Sequence, residues 1–350
     1  MDFKNYLIDQ AGKHPTMQPS DIAKMCYQAA LGAEHLLLDV ERARAYFNME
    51  FDSVEPREGE IFECLSDNVC RIDLGVWKNS GLTREYLFNM FVASTSISHD
   101  GREKLVEYME SVENCLDELN LSFSLDDWKS FFDKYREMGM PAIHHSQTYR
   151  DAEKPNYRIV DRKFTKIIDI LKRLNEISGD EPRVIAIDGR AAAGKSTLAS
   201  LLNVVLDAEI IHMDDFFLPP SLRTSERLSE VGGNIHYERF AKEVIPFVGG
   251  EESFAYEVFD CSVMSINGAR EIKPSRWRIV EGSYSRHPKF GGYADFTVFC
   301  SVSPDEQMER ILSRNGDWFA EQFKNEWIPM EERYFEAFNI REISDIVVYL

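Results

Sequence analysis

The sequence lacks the features that mark disulfide scaffolds, zinc ribbons, secreted chains and membrane spans. Its six cysteines are scattered over 350 residues and form no C-x-x-C pair, which argues against a zinc ribbon or a disulfide framework. The first residues, MDFKNYLIDQAGK, do not join a basic segment to an apolar one as a secretory signal does. No apolar run approaches the roughly 18 residues that span a bilayer. A soluble, reduced, cytoplasmic protein is therefore expected.

Positive charge is also scarce. The 60 acidic residues outnumber the 40 basic ones, and the formal net charge is −20. Nucleic acids and anionic membrane surfaces are bound by basic faces, so neither is expected as a partner. With 44% hydrophobic residues the chain has ample material for a core, which excludes wholesale disorder. Any phosphate-bearing ligand must be held by a local site, because the field of the whole protein repels it.

The spacing of apolar residues divides the chain into two predicted domains. Residues 1–155 show mostly helical periodicity, with NVCRIDLGVW as a short strand. The polar stretch PAIHHSQTYRDAEKPNY breaks this pattern and predicts the connection. Residues 156–350 then alternate helical segments with short apolar runs, which are VIAI, AEIIHM, RWRIVEG, FTVFCSV and DIVVYL. This alternation predicts an α/β domain with a doubly wound parallel sheet, preceded by a mainly α-helical domain.

One segment matches a phosphate-binding motif without a mismatch. Residues 189–196, GRAAAGKS, fit G-x-x-x-x-G-K-[ST] and lie between the apolar run VIAI and the helical stretch STLASLLNVVL. In such a loop the backbone amides face phosphate oxygens, the lysine reaches the β and γ phosphates, and the serine hydroxyl can ligate Mg²⁺. The predicted nucleotide-binding residues are Gly189, Arg190, Ala191, Ala192, Ala193, Gly194, Lys195, Ser196 and Thr197.

Carboxylates occur at the ends of two other apolar runs. Asp214 and Asp215 follow AEIIHM, and Glu281 lies at the end of RWRIVEG. Ligands of doubly wound sheets sit beyond the carboxyl ends of the strands, so these side chains are expected to face the phosphate site. One carboxylate can accept a proton from a substrate hydroxyl, and another can help to hold Mg²⁺. The alternative is that they are solvated acids at strand ends.

Two arginines lie four residues apart in a segment with a helical pattern. Arg310 and Arg314 are therefore expected on one helix face. Such a pair can neutralise the charge that develops on a transferring phosphoryl group. The sequence RNGD at residues 314–317 predicts a helix end and a mobile segment, as a lid requires. The alternative is an exposed face on which the arginines pair with Glu306 or Glu309.

Taken together, these segments resemble the uridine kinase and nicotinamide riboside kinase group of P-loop kinases. The matching pieces, within about residues 183–350, are IAIDGRAAAGKST, IHMDDFF, VFDCSV, RWRIVEGSYS and ERILSR. The resemblance implies that the protein uses ATP and Mg²⁺ and that Asp214 activates the acceptor hydroxyl. Arg310 and Arg314 correspond to lid arginines that act with Lys195. The implied acceptor-site residues are Asp215, Phe217, Asp260 and Glu281, and the implied Mg²⁺ ligands are Ser196, Asp214 and Glu281.

The sequence differs from this family in the region expected to bind the acceptor. The resemblance also implies little about the N-terminal half of the chain. Residues 219–240 differ from the nucleoside-contacting region of uridine kinases, with His236 where an acid is expected. HPTMQPSDIAKMCYQAALGAEHLL resembles an N-terminal extension of bacterial uridine-kinase-like proteins, which implies no activity. The adjacent His144 and His145 are interpreted as loop or packing residues rather than metal ligands.

The function predicted from the sequence is ATP- and Mg²⁺-dependent phosphorylation of a hydroxyl on a small acceptor. The resemblance favours a nucleoside such as uridine. Nicotinamide riboside, pantothenate or a sugar is the alternative acceptor for the same chemistry. An alternative of a different class is a non-catalytic protein in which bound ATP regulates the helical domain.

Overall fold

A computed structural model describes residues 3–33, 37, 39–96, 101–177, 179 and 181–350. The chain forms two compact units, Met1–Ile168 and Asp169–Leu350. The predicted boundary at 155/156 lies earlier, within the first unit. The reason is that Tyr157–Asp161 forms a strand that pairs with Val69–Asp73, and this long-range pairing leaves no periodic signal near Pro155. None of the helices in the described part of the chain has the length and apolar character of a membrane span.

The first unit is mainly helical, as predicted, and carries a small antiparallel sheet. The sheet has the order β1-β2-β3, formed by Glu63–Cys64, Val69–Asp73 and Tyr157–Asp161. The predicted strand NVCRIDLGVW is shorter than expected, because the Asp73 carboxylate accepts a hydrogen bond from the Val76 amide and caps a helix there. The helices are α1 Phe3–Lys13, α2 Pro19–Leu31, α3 Val40–Ser53, α4 Leu74–Asn79, α5 Arg84–Thr95, α6 Arg102–Glu113, α7 Leu116–Leu119, α8 Leu125–Glu137 and α9 Gln147–Glu153.

A disulfide joins Cys64 and Cys70, which are directly opposite each other in the pairing of β1 with β2. The expectation of reduced cysteines is therefore wrong for this pair. A spacing of six residues indicates a disulfide only when the register of the two strands is known, and the sequence did not reveal that register. The free cysteines are Cys26, Cys115, Cys261 and Cys300.

The second unit contains the predicted parallel sheet. Its order is β10-β9-β4-β8-β5, and every neighbouring pair is parallel. These strands are β4 Arg183–Gly189, β5 Glu209–His212, β8 Trp277–Glu281, β9 Phe296–Ser301 and β10 Ile346–Tyr349, one for each predicted apolar run. An antiparallel hairpin, β6 Phe254–Asp260 with β7 Ser265–Ile272, stands apart from the sheet. The α/β fold class predicted from the sequence is confirmed.

Helices connect the strands and cover the sheet. They are α10 Ile168–Asn175, α11 Lys195–Leu206, α12 Ser225–Ser229, α13 Tyr237–Glu243, α14 Pro304–Asn315, α15 Asp317–Gln322 and α16 Ile328–Phe338, with a π turn over Phe323–Trp327 before α16. A single apolar cluster includes Val280 of β8, Phe299 of β9 and Tyr334 of α16. Burial of each such side chain contributes roughly 1.5–3 kcal/mol, so the strand ends are held on a rigid support.

The sheet register brings three strand ends together. Glu281 of β8 is opposite Ile187 of β4 on one side and His212 of β5 on the other. The chain segments that follow these strands therefore meet at one edge of the sheet, where ligands of doubly wound folds bind.

Candidate active site

The segment between β4 and α11 curls as the phosphate-binding motif requires. Gly189 and Gly194 have φ angles of +135° and +87°, which L side chains rarely adopt. A Cβ at Gly189 would collide with the Cys300 carbonyl, and a Cβ at Gly194 would lie 2.9 Å from Cδ1 of Leu350. Both motif glycines are therefore needed for the conformation, which leaves a cradle of backbone amides at the positive end of α11.

Lys195 and Ser196 begin α11 directly beside this cradle. The Lys195 Nζ donates hydrogen bonds to the carbonyl oxygens of Gly189, at 2.8 Å, and Arg190, at 2.9 Å. The Ser196 hydroxyl donates to Oε2 of Glu281 at 3.1 Å. Thr197 is exposed in the first turn of α11. The ammonium group thus lies over the loop, where it can exchange its carbonyl partners for phosphate oxygens.

Asp188, the last residue before the motif, is fully buried and was not singled out from the sequence. Its carboxylate accepts hydrogen bonds from the amides of Gly189, Tyr284 and Arg286 at 2.7, 3.2 and 3.1 Å, and from the Tyr334 hydroxyl at 2.9 Å. Burial raises the pKa of Asp188, and these hydrogen bonds lower it. The carboxylate therefore ties the start of the loop to the turn after β8.

Two carboxylates of α16 hold the loop from outside. Glu331 is buried and accepts hydrogen bonds from the Ala191 amide at 2.9 Å and the Ser283 hydroxyl at 2.6 Å. Glu332 forms an ion pair with Nε of Arg190 at 2.6 Å. Burial raises the pKa of Glu331. The Arg190 side chain is thus occupied, and its main-chain amide also has a partner, the Cys300 carbonyl at 3.1 Å.

Glu281 is buried where three elements meet. Its Oε2 accepts the bond from Ser196 of α11, and its Oε1 lies 2.6 Å from Nδ1 of His212 at the end of β5. The predicted strand-end carboxylate is therefore brought to the loop. His212 was not assigned a role from the sequence, although its position directly before Met213 and Asp214 marks it as a strand-end residue.

The two neighbouring aspartates have different surroundings. Asp215 is buried, and its Oδ2 accepts hydrogen bonds from the Tyr256 hydroxyl at 2.9 Å and from Nε of Arg270 at 3.3 Å. Asp214 is exposed to solvent. Asp214 is therefore the one of the two whose carboxylate is open to a ligand.

The pKa of the Asp214 carboxyl is raised, chiefly because the surrounding protein displaces water from it even though the residue keeps solvent access. Glu281 raises it further, whereas the charges of Lys195 and His212 lower it. Asp214 follows His212 by two residues, and the His212 ring contacts Glu281, the hydrogen-bond partner of Ser196 in the phosphate loop. A carboxylate with a raised pKa is a better proton acceptor than an ordinary aspartate.

The two predicted arginines, Arg310 and Arg314, have different contacts in the structure. Arg310 of α14 donates from Nη1 to the Ala192 carbonyl at 3.1 Å and from Nη2 to Glu306 at 2.6 Å. Arg314 is exposed, and its Nε donates to Oδ1 of Asn315 at 2.9 Å. Among the residues described, Arg310 is the member of the pair that reaches the loop, and Arg314 pairs with its neighbour at the end of the helix.

Two other predicted acceptor-site residues serve local structure. Phe217 is half-buried and forms an isolated antiparallel bridge with Ile235. Asp260 ends β6, and its carboxylate accepts hydrogen bonds from the Ser262 amide at 2.8 Å and from Nδ2 of Asn267 at 3.1 Å. The Ser262 hydroxyl also donates to this carboxylate, at 2.6 Å, and it lowers the pKa of Asp260 most, followed by the other two contacts. Together these contacts close the turn of the β6–β7 hairpin.

The oxygen atoms beside the loop suit Mg²⁺ better than a transition metal. Ser196 and Glu281 offer hard oxygen ligands, and Asp214 lies nearby. Within residues 3–33, 37, 39–96, 101–177, 179 and 181–350, no group of three or more His, Cys, Asp and Glu side chains is arranged to hold a metal ion. Mg²⁺ usually takes one or two protein ligands and completes its shell with phosphates and water, so the residues present fit it.

The two histidines of the predicted connection lie in the first unit. His145 is buried, with Nδ1 at 2.9 Å from Oδ1 of Asp21 and Nε2 at 2.8 Å from the Tyr157 hydroxyl. His144 is exposed. The packing role interpreted from the sequence holds for His145.

No protein-family model matches the chain. Curated relatives include pantothenate kinases of Streptococcus suis strains 05ZYH33 and 98HAH33, each 24% identical over 227 residues, covering 57% of this chain and 67% of the relative. A solved structure of a possible uridine kinase from Bacillus stearothermophilus is 20% identical, with a TM-score of 0.40 over 53% of this chain and 99% of its own. A candidate fructose transport system kinase from Silicibacter sp. TM1040 is 24% identical, with a TM-score of 0.43 over 51% and 94%.

Proposed function

We propose that this protein transfers the γ-phosphoryl group of ATP to a hydroxyl of a small molecule. The observation that carries the proposal is the exposed Asp214 carboxylate, two residues beyond His212, whose ring lies 2.6 Å from Glu281, the partner of Ser196 in the phosphate loop. A phosphate cradle with an adjacent open carboxylate has what hydroxyl phosphorylation needs. The pantothenate kinase relatives support the enzyme class predicted from the sequence. The chain is a P-loop small-molecule kinase.

Asp214 is the proposed general base. Asp215 is less suited to this role, because it is buried and already bonded to Tyr256 and Arg270. As the acceptor oxygen forms its bond to the γ phosphorus, its proton passes to the Asp214 carboxylate. The bond between the γ phosphorus and the bridging oxygen breaks, and ADP leaves with that electron pair.

The remaining roles concern charge and position. The loop amides and Lys195 bind the donor phosphates, and Arg310, already at the Ala192 carbonyl, stabilises negative charge on the transferred group. Ser196 and Glu281 would hold Mg²⁺, which when bound neutralises charge on the phosphates. Arg314 keeps a proposed lid role only if its helix end moves, since its contact here is with Asn315.

The identity of the acceptor and the cellular location of the protein are also proposals. The resemblance to uridine kinases favours a nucleoside such as uridine, and the curated relatives favour pantothenate. The non-catalytic alternative predicts ATP binding without transfer. The formal net charge of −20 argues against nucleic-acid and membrane partners, and we propose a cytoplasmic location.

The test is direct detection of product. The full chain is incubated with ATP, Mg²⁺ and, separately, uridine, nicotinamide riboside, pantothenate and fructose, and ADP and phosphorylated acceptor are measured by mass spectrometry. Transfer by the wild type and by the surface control Asp169→Asn, with loss in Asp214→Asn, supports the proposal. Tight ATP binding with no transfer to any acceptor contradicts it and favours the regulatory alternative.

A further inference from the structure

His212 ends β5 at the edge of the sheet that carries the phosphate loop. It is the register partner of Glu281, the last residue of β8. Register partners in parallel strands project from the same face of the sheet. The imidazole therefore lies beside the Glu281 carboxylate, and its Nδ1 is 2.6 Å from Oε1.

The direction of this hydrogen bond follows from its chemistry. An ionised carboxylate only accepts hydrogen bonds, so Nδ1 of His212 carries the proton and donates it to Glu281. The other carboxylate oxygen, Oε2, accepts the Ser196 hydroxyl at 3.1 Å. In the part of the chain that the structure describes, these are the two hydrogen bonds of the Glu281 side chain. The carboxylate is therefore held between donors on two separate elements, α11 and β5.

The main chain that carries the imidazole is also held in place. The amide of His212 donates to the Tyr256 hydroxyl at 3.4 Å, and that hydroxyl donates to Asp215 at 2.9 Å. The segments that follow β5 and β8 approach closely, since a Cβ at Gly282 would lie 2.7 Å from Cβ of Met213. The ring thus extends from a rigid support.

Of the three side chains joined by these contacts, His212 is the one to which the proposed reaction gives no task. Ser196 and Glu281 would hold Mg²⁺. Groups that hydrogen-bond to the ligands of a metal orient those ligands, and their loss typically lowers metal affinity or activity about 10- to 100-fold. Ordering a glutamate side chain costs conformational entropy. A donor that orders it in advance removes this cost from metal binding.

We infer that His212 is a positioning residue, whose Nδ1 proton holds the Glu281 carboxylate beside Ser196 for Mg²⁺. The inference rests on the proposed function and adds to it a residue that acts through Glu281. It requires a hydrogen-bond donor at the position of Nδ1 and does not require the imidazole itself. The His212 side chain is 32% exposed, so it can be replaced without opening the apolar core.

The test uses two amides that place a donor at different positions. His212→Asn puts its amide nitrogen near the position of Nδ1, and His212→Gln puts it near that of Nε2. Calorimetry measures the Kd of a non-hydrolysable ATP analogue with Mg²⁺ and, separately, with EDTA. His212→Gln should weaken binding with Mg²⁺ about tenfold or more and leave the Kd in EDTA unchanged. His212→Asn and the exposed control His144→Gln should bind as the wild type does.

Several results would overturn the inference while leaving the proposed function intact. The first is a Kd with Mg²⁺ that His212→Gln does not change, or that Mg²⁺ does not tighten even in the wild type. The second is equal weakening with Mg²⁺ and with EDTA, which a merely structural role would produce. The third is a loss in His212→Asn as large as that in His212→Gln, because a donor at Nδ1 would then not be the cause.

If the wild type does not bind the analogue at all, the proposed function fails, and a crystal structure of His212→Leu decides the inference separately. Leucine has a similar volume and no donor. A Glu281 carboxylate that turns away from Ser196 in this variant supports the inference. A carboxylate that keeps its 3.1 Å contact with the Ser196 hydroxyl overturns it.

Discussion

The Ser196 hydroxyl donates a hydrogen bond of 3.1 Å to Glu281, whose other carboxylate oxygen lies 2.6 Å from Nδ1 of His212. One buried carboxylate therefore joins the first turn of α11 to the ends of β5 and β8. Parallel pairing sets this arrangement, since Glu281 and His212 are register partners. A change at Glu281 should thus act on the site that would hold Mg²⁺.

Glu281→Gln keeps the size and the polar contacts of this side chain but removes its charge. We expect the Mg²⁺ concentration for half-maximal activity to rise about tenfold, because hydrogen bonds and ligand contacts of charged groups are the stronger ones. The measurement is initial rate against Mg²⁺ at saturating ATP. Glu209→Gln, at the start of β5, serves as the matched control, and an unchanged Mg²⁺ requirement in Glu281→Gln would exclude it as a ligand.

Asp214→Asn should reduce kcat about 100-fold or more, because a positioned base contributes factors of this size, while ATP affinity stays the same. The pKa of Asp214 is raised, and the active form is the deprotonated one. Activity should therefore decline as the pH falls through a value above that of an ordinary aspartate. The control Asp215→Asn should retain this decline of activity at acidic pH. If Asp214→Asn leaves the pH profile of kcat unchanged, Asp214 is not the general base.

Arg310 and Arg314 should differ sharply when each is replaced by Gln. Arg310 contacts the phosphate loop at Ala192, so Arg310→Gln should lower kcat by about 10- to 100-fold. Arg314 pairs with Asn315 and is exposed, so Arg314→Gln should change kcat less than threefold, roughly. Comparable losses in the two variants would show that the end of α14 moves onto the nucleotide.

Glu331→Gln should change how stability depends on pH. The pKa of Glu331 in the folded protein is raised above its ordinary 4.5. Its contribution to stability is therefore fully present below pH 4.5 and is lost as the pH rises through the raised value. Because Gln does not titrate, the melting temperature of the variant relative to the wild type should increase as the pH rises above 4.5. Thermal unfolding at several pH values measures this difference in melting temperature, with Glu336→Gln as a surface control. A difference that does not change with pH would contradict the prediction.

The Cys64–Cys70 disulfide closes a loop with a sequence separation of six residues. For so short a loop we expect a contribution of roughly 2 kcal/mol to the free energy of unfolding. Dithiothreitol should lower the urea midpoint of the wild type to that of the Cys64→Ser/Cys70→Ser double variant. The urea midpoint of the double variant should not change with the reductant. An equal change in both proteins would show that the disulfide is not responsible for the effect of dithiothreitol.

Much of the second unit could be predicted because its signals are local. The phosphate motif occupies consecutive residues, and each of the five strands is a continuous apolar run. Asp214 and Glu281 could be predicted near the loop for the same reason, since strand ends in parallel sheets meet at one edge. Spacing placed Arg310 and Arg314 on one face, and RNGD predicted the helix end, but neither showed that the Arg314 side chain bonds to Asn315.

Other parts of the site depend on long-range contacts that leave no local pattern. Glu331 and Glu332 reach the loop from α16, about 140 residues later in the chain. Their spacing to Ala191 and Arg190 is set by the packing of that helix. The disulfide depends similarly on a strand register, and the role of Asp260 in the hairpin depends on its contact with Asn267.

Asp188 receives three main-chain amides, those of Gly189, Tyr284 and Arg286, on one buried carboxylate. Because all three amide hydrogens are bonded to the same buried carboxylate, one local opening that admits water would free all of them. These amides should therefore show similar protection factors in deuterium exchange, higher than those of the exposed amides of the loop. The start of the phosphate loop and the turn after β8 would then behave as one cooperative unit in hydrogen exchange, although they lie almost a hundred residues apart in the chain.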